Sequence, residues 1–130
     1  MSWDVSTLDF SFTRRAARGA GWLLLAAIAV LSLSPPSYRP VTALGHSLEH
    51  FLIHLLLGVA FGVGYAGRWW LLALVLVGFL GAIEFAQLFV PGRHARLEDL
   101  LIDAGAACLG IGLAWLGKVV TSAFSGPSRP

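Results

Sequence analysis

Four long apolar segments constrain the fold of this chain more than any other feature of its sequence. They cover about residues 19–34, 46–66, 69–90 and 97–120, and Pro35-Pro36 and Pro91-Gly92 end the first and the third. A helix needs about 20 predominantly apolar residues to span a bilayer. The segments are apolar on all sides, whereas the strands of a membrane barrel alternate apolar and polar residues. The sequence therefore predicts an all-α fold, an integral membrane four-helix bundle.

The composition agrees with a lipid environment. The 130 residues are 57% hydrophobic and 12% charged, whereas an ordinary soluble domain carries about 25% charged residues. The mean hydropathy is +0.77. The basic residues are scattered and form no basic stripe with interleaved aromatic residues, so no nucleic-acid partner is predicted. The single cysteine, Cys108, excludes a disulfide within the chain.

Basic residues near the helix ends predict the orientation, because cytoplasmic loops carry an excess of Lys and Arg. With the N-terminus in the cytoplasm, six basic residues lie on the cytoplasmic side and three on the outer side. We therefore predict a multi-pass inner-membrane protein with a cytoplasmic N-terminal segment over residues 1–18, a bundle over 19–120 and a cytoplasmic tail over 121–130. Residues 1–13 are expected to be disordered, and a position at the membrane interface is the alternative. The six are Arg14, Arg15, Arg18, Arg68, Lys118 and Arg129, and the three are Arg39, Arg93 and Arg96.

The other ionisable residues gather at the outer ends of helices two, three and four. All four histidines and five of the seven acids lie there. A charged group in the middle of a membrane costs about 3 kcal/mol on insertion scales, so such side chains face the bundle interior and find partners. Several of them are three or four residues apart, which places them on one helix face. The candidate site residues are His46, His50, His54, Glu84, Gln87, Arg93, Arg96, Asp99 and Asp103.

Small residues predict where helices approach each other closely. Gly58 and Gly62 form a GxxxG pair in helix two, and residues 104–107 make helix four thin just below its aspartates. Small residues at such positions allow membrane helices to pack closely. We expect this packing to bring the polar groups of neighbouring helices together.

The polar residues allow a structural interpretation and a proton-pathway interpretation. In the first, Arg93 or Arg96 pairs with an acid and holds the loop against the bundle, and His50 hydrogen-bonds Glu84, because buried charges are usually paired. In the second, the histidines and acids relay protons. The inner halves of the helices lack polar residues, so a complete pathway across the membrane is missing.

The remaining interpretation is a ligand site that opens towards the outer leaflet. The metal candidates are His50, Glu84 and Asp99, because imidazole and carboxylate ligands suit zinc and related ions. Asp103 is a further carboxylate, and the two arginines suit a phosphate group. Such a site would bind an anionic lipid or polyprenyl-phosphate headgroup, or belong to a metal-assisted enzyme that processes lipid phosphates. No cofactor is predicted, and a divalent metal remains an alternative.

Two stretches of the chain carry a family resemblance. They are EHFLIH at residues 49–54 and IEFAQLFVPGRHARLEDLLIDAGAACLG at residues 83–110. Together they resemble the VanZ-like family of small membrane proteins, whose pattern is Asp-Lys-x-x-His-Phe-x-x-Tyr, Glu-x-x-Gln, Pro-x-Arg and Asp-x-x-x-Asn, followed by glycines. The matching residues are His50, Phe51, Glu84, Gln87, Pro91, Arg93, Asp99 and Gly110.

The resemblance covers about residues 20–118 and has departures in its first half. The Asp-Lys positions are His46 and Ser47, the Tyr position is His54, and the Asn position is Asp103. The resemblance implies the four-helix membrane fold and the polar positions. It also implies a link to the cell envelope and to glycopeptide susceptibility, since the founding member of the family is associated with teicoplanin resistance.

Overall fold

The computed structural model describes residues 5–38, 43–65 and 67–124, with side chains from residue 10 onward. The described chain forms four α-helices, α1 (Val5–Leu33), α2 (His46–Gly64), α3 (Trp69–Gln87) and α4 (Leu97–Phe124), and a 3-10 turn at Pro36–Tyr38. All four helices are long and apolar enough to cross a membrane. The prediction of an all-α four-helix membrane bundle is confirmed.

The first helix begins at Val5, far before the predicted start near residue 19. The expectation of disorder over residues 1–13 is therefore wrong from Val5 onward, and residues 1–4 lie outside the described chain. The physical reason is the absence of helix breakers, because no glycine or proline occurs between Val5 and Arg18. The membrane-compatible part of α1 is Phe10–Leu33.

The other helix ends differ from the prediction by a few residues. The second helix ends at Gly64 and the third at Gln87, whereas the fourth continues to Phe124. The third helix ends early because Pro91 has no N–H to donate to the carbonyl oxygen of Gln87, and Gly92 then adopts a φ of 78°. Glu84 consequently lies about one turn from its helix end rather than nearly two. Residues 125–130 of the predicted tail lie outside the described chain.

The helices fall into a long pair and a short pair. The long pair is α1 with 29 residues and α4 with 28 residues. Both members of the short pair, α2 and α3, have 19 residues. At 1.5 Å per residue the long helices measure about 43 Å and the short ones about 28 Å. The long helices extend beyond the short ones at the end of the bundle where Gly64 lies, because Arg18 and Lys118 contact the last turn of α2.

The central contact of the bundle is a glycine seam between α2 and α4. A Cβ atom at Gly58 would overlap the carbonyl oxygen of Ala107, and one at Gly110 would overlap the carbonyl oxygen of Leu55. The two backbones therefore touch directly, as small residues allow in membrane helices. Leu57 on α2 is buried completely beside this seam. The seam fixes the position of the N-terminal half of α2 against that of α4, where the histidines and aspartates lie.

The remaining helices pack on this pair. Phe61 on α2 fits against Gly21 on α1, and Leu25 and Ile28 of α1 belong to the same buried core as Leu80 of α3. The outward faces carry exposed large apolar side chains along all four helices. Such a surface is suited to lipid.

Candidate functional site

A buried carboxylate and two imidazoles form the centre of the polar residues. Asp103 on α4 is 7% exposed, and its Oδ1 lies 2.9 Å from Nδ1 of His50 and 3.1 Å from Nδ1 of His54 on α2. The glycine seam makes this approach possible, because it brings α2 and α4 together one to two turns below the residues concerned. We call His50, His54 and Asp103 the His–Asp cluster.

His54 is held in one orientation and one tautomer. Its Nδ1 lies 2.7 Å from the carbonyl oxygen of His50, which can only accept, so Nδ1 carries the proton and donates it. The other ring nitrogen, Nε2, is buried and has no hydrogen-bond partner among the described residues. In the neutral ring, Nε2 is an acceptor with a free lone pair. Histidines that bind metals are commonly arranged in this way, with one nitrogen fixed to a carbonyl or carboxylate.

The three residues of the cluster are close enough to share one ion. Each offers a ligand atom, and these atoms lie within 4.8 Å of one another. His54 and Asp103 are buried, and His50 is partly exposed. Among the described residues, this is the group of histidines and acids whose geometry suits a metal. It contains His50 from the predicted metal candidates and adds His54, whereas Glu84 and Asp99 lie in neighbouring contacts.

Those neighbouring contacts surround the cluster with further acids. Glu84 is 8% exposed, and its Oε1 accepts a hydrogen bond from the backbone N–H of Arg96 at 2.6 Å. It also lies near enough to Asp99 and Asp103 for the carboxylates to repel one another. Asp99 Oδ2 lies 3.3 Å from Nε2 of the exposed His46. Three carboxylates near two imidazoles make this region attractive to cations.

The two arginines of the loop have different positions. Arg93 Nε and Nη2 donate to the carbonyl oxygens of Ser34 and Leu31, at 3.1 and 2.6 Å. It therefore binds the C-terminal end of α1, where carbonyl groups lack partners within the helix. The side chain of Arg96 is exposed. Sequence spacing gave no signal for the contact between Arg93 and α1, because it joins residues that are about 60 positions apart.

Eight of the nine predicted candidate residues divide into three contacts and a buried amide, whereas Arg93 binds the end of α1. The contacts are His50, His54 and Asp103 in the cluster, His46 with Asp99, and Glu84 with the backbone of Arg96. Gln87 is 7% exposed at the end of α3. The predicted hydrogen bond between His50 and Glu84 is replaced by the one between His50 and Asp103, although Glu84 and His50 still lie close enough to interact electrostatically.

Comparison with known proteins identifies the family. No curated protein and no solved structure matches the chain. A family model described as VanZ/LLP1 matches residues 10–118, which include the greater part of all four helices and the whole His–Asp cluster. The match supports a multi-pass membrane protein and covers every residue on which the resemblance was based. The chain belongs to the VanZ/LLP1 family.

Proposed function

We propose that this VanZ-like protein binds a divalent metal ion of the zinc class in its His–Asp cluster and uses the ion to bind the phosphate headgroup of an envelope lipid. The observation that carries the proposal is the approach of His50, His54 and Asp103 within 4.8 Å at a largely buried position. Three such ligand atoms are what a zinc ion with one open coordination position requires.

The ligand set fits zinc in type and spacing. Zinc binds imidazole nitrogen and carboxylate oxygen at about 2.0–2.2 Å. Two ligand atoms at that distance in a tetrahedron are about 3.3 Å apart, so the 2.9 Å between His50 Nδ1 and Asp103 Oδ1 needs to widen only slightly. His54 contributes a ring nitrogen, and its Nε2 holds no other partner. Three protein ligands leave the fourth position for a water or a phosphate oxygen.

The charges around the cluster explain why an ion is needed for a headgroup. The carboxylates of Glu84, Asp99 and Asp103 repel a bare phosphate group, because like charges raise each other's energy at short range in a medium of low dielectric constant. A divalent cation offsets these charges. The exposed Arg96 then provides the guanidinium for the remaining phosphate oxygens. Arg93 takes no part in this role, because it binds α1.

The proposal includes the membrane and the orientation. Both termini are in the cytoplasm of a cell with an inner membrane, and the His–Asp cluster opens towards the outer leaflet. Support comes from the opposite end of the bundle, where Arg14, Arg15, Arg18 and Lys118 lie, as the excess of basic residues on cytoplasmic sides requires. A green fluorescent protein fused to the C-terminus should fluoresce, whereas alkaline phosphatase fused there should be inactive. The reverse pair of results would place the cluster on the cytoplasmic side.

Metal content tests the central step. The protein is purified without a metal-affinity column, stripped with EDTA, dialysed against zinc and analysed by elemental mass spectrometry. We expect one zinc per chain. His50→Gln should lower zinc affinity at least about tenfold, since loss of a ligand costs no less than loss of an outer-sphere partner.

The matched control is His94→Gln. His94 is an exposed histidine of the α3–α4 loop and lies outside the cluster, so its loss should leave zinc affinity unchanged. Circular dichroism confirms that each variant is folded. A folded wild-type protein that takes up no zinc, or equal zinc affinity in His50→Gln and wild type, would contradict the proposal.

Native mass spectrometry tests the lipid step separately. Zinc-loaded protein should carry more polyprenyl phosphate than the EDTA-treated protein, and Arg96→Met should lower that occupancy. If zinc binds but lipid occupancy is the same with and without it, the protein binds a metal and the proposed binding of a lipid headgroup is excluded. Teicoplanin susceptibility of cells that express wild type or His50→Gln then tests the link to the envelope that the family resemblance implies.

A further inference from the structure

A groove lies at the opposite end of the bundle from the His–Asp cluster. Its larger part, a cavity of about 330 Å³, lies between the start of α3 and the last turns of α4, with Trp69, Trp115 and Lys118 in its walls. A smaller cavity of about 160 Å³ is lined by Arg18 and Arg68. The two cavities share Tyr65, Gly67 and Leu72 as lining residues. We call the two together the basic groove.

Two cations of the basic groove bind the C-terminal end of α2 and have further N–H donors that this contact does not use. Lys118 Nζ donates to the carbonyl oxygen of Gly62, and an ammonium group has three donors. Arg18 Nε donates to the carbonyl oxygen of Gly64 at 2.8 Å, and its guanidinium lies 4.8 Å from the centre of the Tyr65 ring. A guanidinium has five N–H donors, so capping α2 uses only part of the hydrogen-bonding capacity of either side chain.

The positive charge in this region lacks a described counter-charge. Arg68, at the N-cap of α3, is exposed and carries no side-chain cap hydrogen bond, and the start of a helix adds positive potential. Lys118 and Arg14 lie close enough to repel each other. Among the side chains that the structure describes, all the acids belong to the outer end: Glu49, Glu84, Glu98, Asp99 and Asp103. The basic groove is therefore complementary to an anion.

The walls of the groove are apolar and aromatic. The rings of Trp69 and Trp115 lie 6.4 Å apart, and Leu72 and Ile111 complete the lining between α3 and α4. Tryptophan beside arginine or lysine is typical of the membrane–water interface, where an amphipathic ring meets lipid headgroups. A soluble anion would use only the cations of this groove, whereas a lipid would use the cations and the apolar walls.

We propose that the basic groove binds an anionic glycerophospholipid of the phosphatidylglycerol class. The phosphate group lies beside Lys118, Arg18 and Arg68, and the first part of an acyl chain lies along Trp69, Trp115 and Leu72. This site is separate from the His–Asp cluster in position and in charge. It stands without the proposed function, because it uses neither a metal nor any residue of the outer end.

The experiment measures lipid occupancy by native mass spectrometry in a neutral detergent. Equal amounts of phosphatidylglycerol and phosphatidylcholine with the same acyl chains are added to the wild-type protein in excess EDTA, which keeps the His–Asp cluster free of metal. We expect phosphatidylglycerol to bind in preference. Lys118→Met should lower its affinity about tenfold, the effect of losing one hydrogen bond between charged groups, and Lys118→Arg should retain it.

Arg15→Met is the matched control, because Arg15 is an exposed cation of the same end and lies outside both cavities. It removes the same charge and should leave the preference unchanged. If Lys118→Met fails to fold, Arg68→Ser replaces it, since Arg68 lies in the α2–α3 connection and its side chain caps no helix. Equal effects of Arg15→Met and the groove variants would show that general surface charge causes the preference for phosphatidylglycerol, and would overturn the proposal. Equal binding of the two lipids would overturn it too.

A last arm separates a lipid from a free phosphate ester. Glycerol phosphate is added in large excess over phosphatidylglycerol. We expect little displacement, because the soluble ester lacks the acyl chain that contacts the tryptophans. Displacement at equal concentrations would show that the groove recognises the phosphate ester alone, and would overturn the assignment to lipid.

Discussion

The two ends of the bundle use the same scaffold for opposite charges. At the end that holds the His–Asp cluster, carboxylates and imidazoles are buried between α2 and α4 and contact one another. At the other end, lysine and arginine side chains surround a groove with tryptophan walls. The two ends therefore differ in the sign of their charge and in its placement, because the acids lie between two helices whereas the cations line an open groove.

One feature is common to both ends. Basic side chains bind the carbonyl groups at the C-terminal ends of helices, where backbone acceptors have no partner in the helix. Arg93 does this for α1 at the outer end, and Arg18 and Lys118 do it for α2 at the other. The electrostatic attraction between cations and helix C-termini favours these contacts.

The largest effect is expected from the glycine seam, because it supports both ends. Gly110→Ala adds a Cβ that overlaps the carbonyl oxygen of Leu55 and presses on the backbone of Val59. Since backbone has to move, we expect a loss of about 3 kcal/mol in the free energy of unfolding. Equilibrium unfolding in mixed SDS micelles measures it. Zinc uptake and lipid preference should fall together.

Gly105→Ala is the control for this change. It lies on the same helix, and its added Cβ would meet no atom within 4 Å. We expect a stability equal to wild type or up to about 1 kcal/mol higher, because alanine is the better helix former. Equal loss of stability in both variants would mean that the close approach of α2 and α4 does not hold the bundle together.

A smaller effect, confined to the outer end, is expected from Asp103→Asn. The amide keeps the size of the side chain but lacks the charge that receives both histidine Nδ1 groups. Zinc affinity, measured by calorimetric titration, should fall about 10–100-fold, and phosphatidylglycerol preference should remain. Asp99→Asn is the comparison, because Asp99 contacts the exposed His46 at 3.3 Å. A loss of zinc affinity as large in Asp99→Asn would place the metal elsewhere.

The smallest effect on stability is expected at the two loop arginines, and it should differ between them. Arg93→Met removes hydrogen bonds to Ser34 and Leu31 at the end of α1 and should cost about 2 kcal/mol of unfolding free energy. Arg96→Met removes an exposed side chain and should change stability by less than about 0.5 kcal/mol. Unfolding in mixed micelles compares them. If the two variants were equally stable, the contact between the loop and α1 would not contribute to the free energy of unfolding.

The sequence predicted the helices and the gathering of the polar residues at one end of the bundle for good physical reasons. Segment length and hydropathy decide which helices span a membrane, and helical spacing decides which side chains share a face. Spacing does not fix how each helix is rotated about its axis. The partner of His50 depended on that rotation, and the structure places Asp103 there where the sequence suggested Glu84.

Hydropathy could not predict two further features, the early start of α1 and the contacts of Arg18 and Lys118 with α2. The stretch before Gly19 contains three arginines and several polar residues, so its hydropathy is low, although no glycine or proline between Val5 and Arg18 interrupts a helix. The contacts of Arg18 and Lys118 with α2 join residues that are 46 and 56 positions apart. Such contacts follow from the order in which the helices pack, which the spacing within a single helix does not contain.

The unequal helix lengths bear on the bilayer thickness that matches this protein. The short pair, α2 and α3, measures about 28 Å, close to the hydrocarbon thickness of about 30 Å. The long pair extends beyond the last turn of α2, so it can match a thicker bilayer as well. In such a bilayer the α2–α3 hairpin is the element too short to span the hydrocarbon. Local thinning is one response to that mismatch, and it would bring headgroups towards the basic groove.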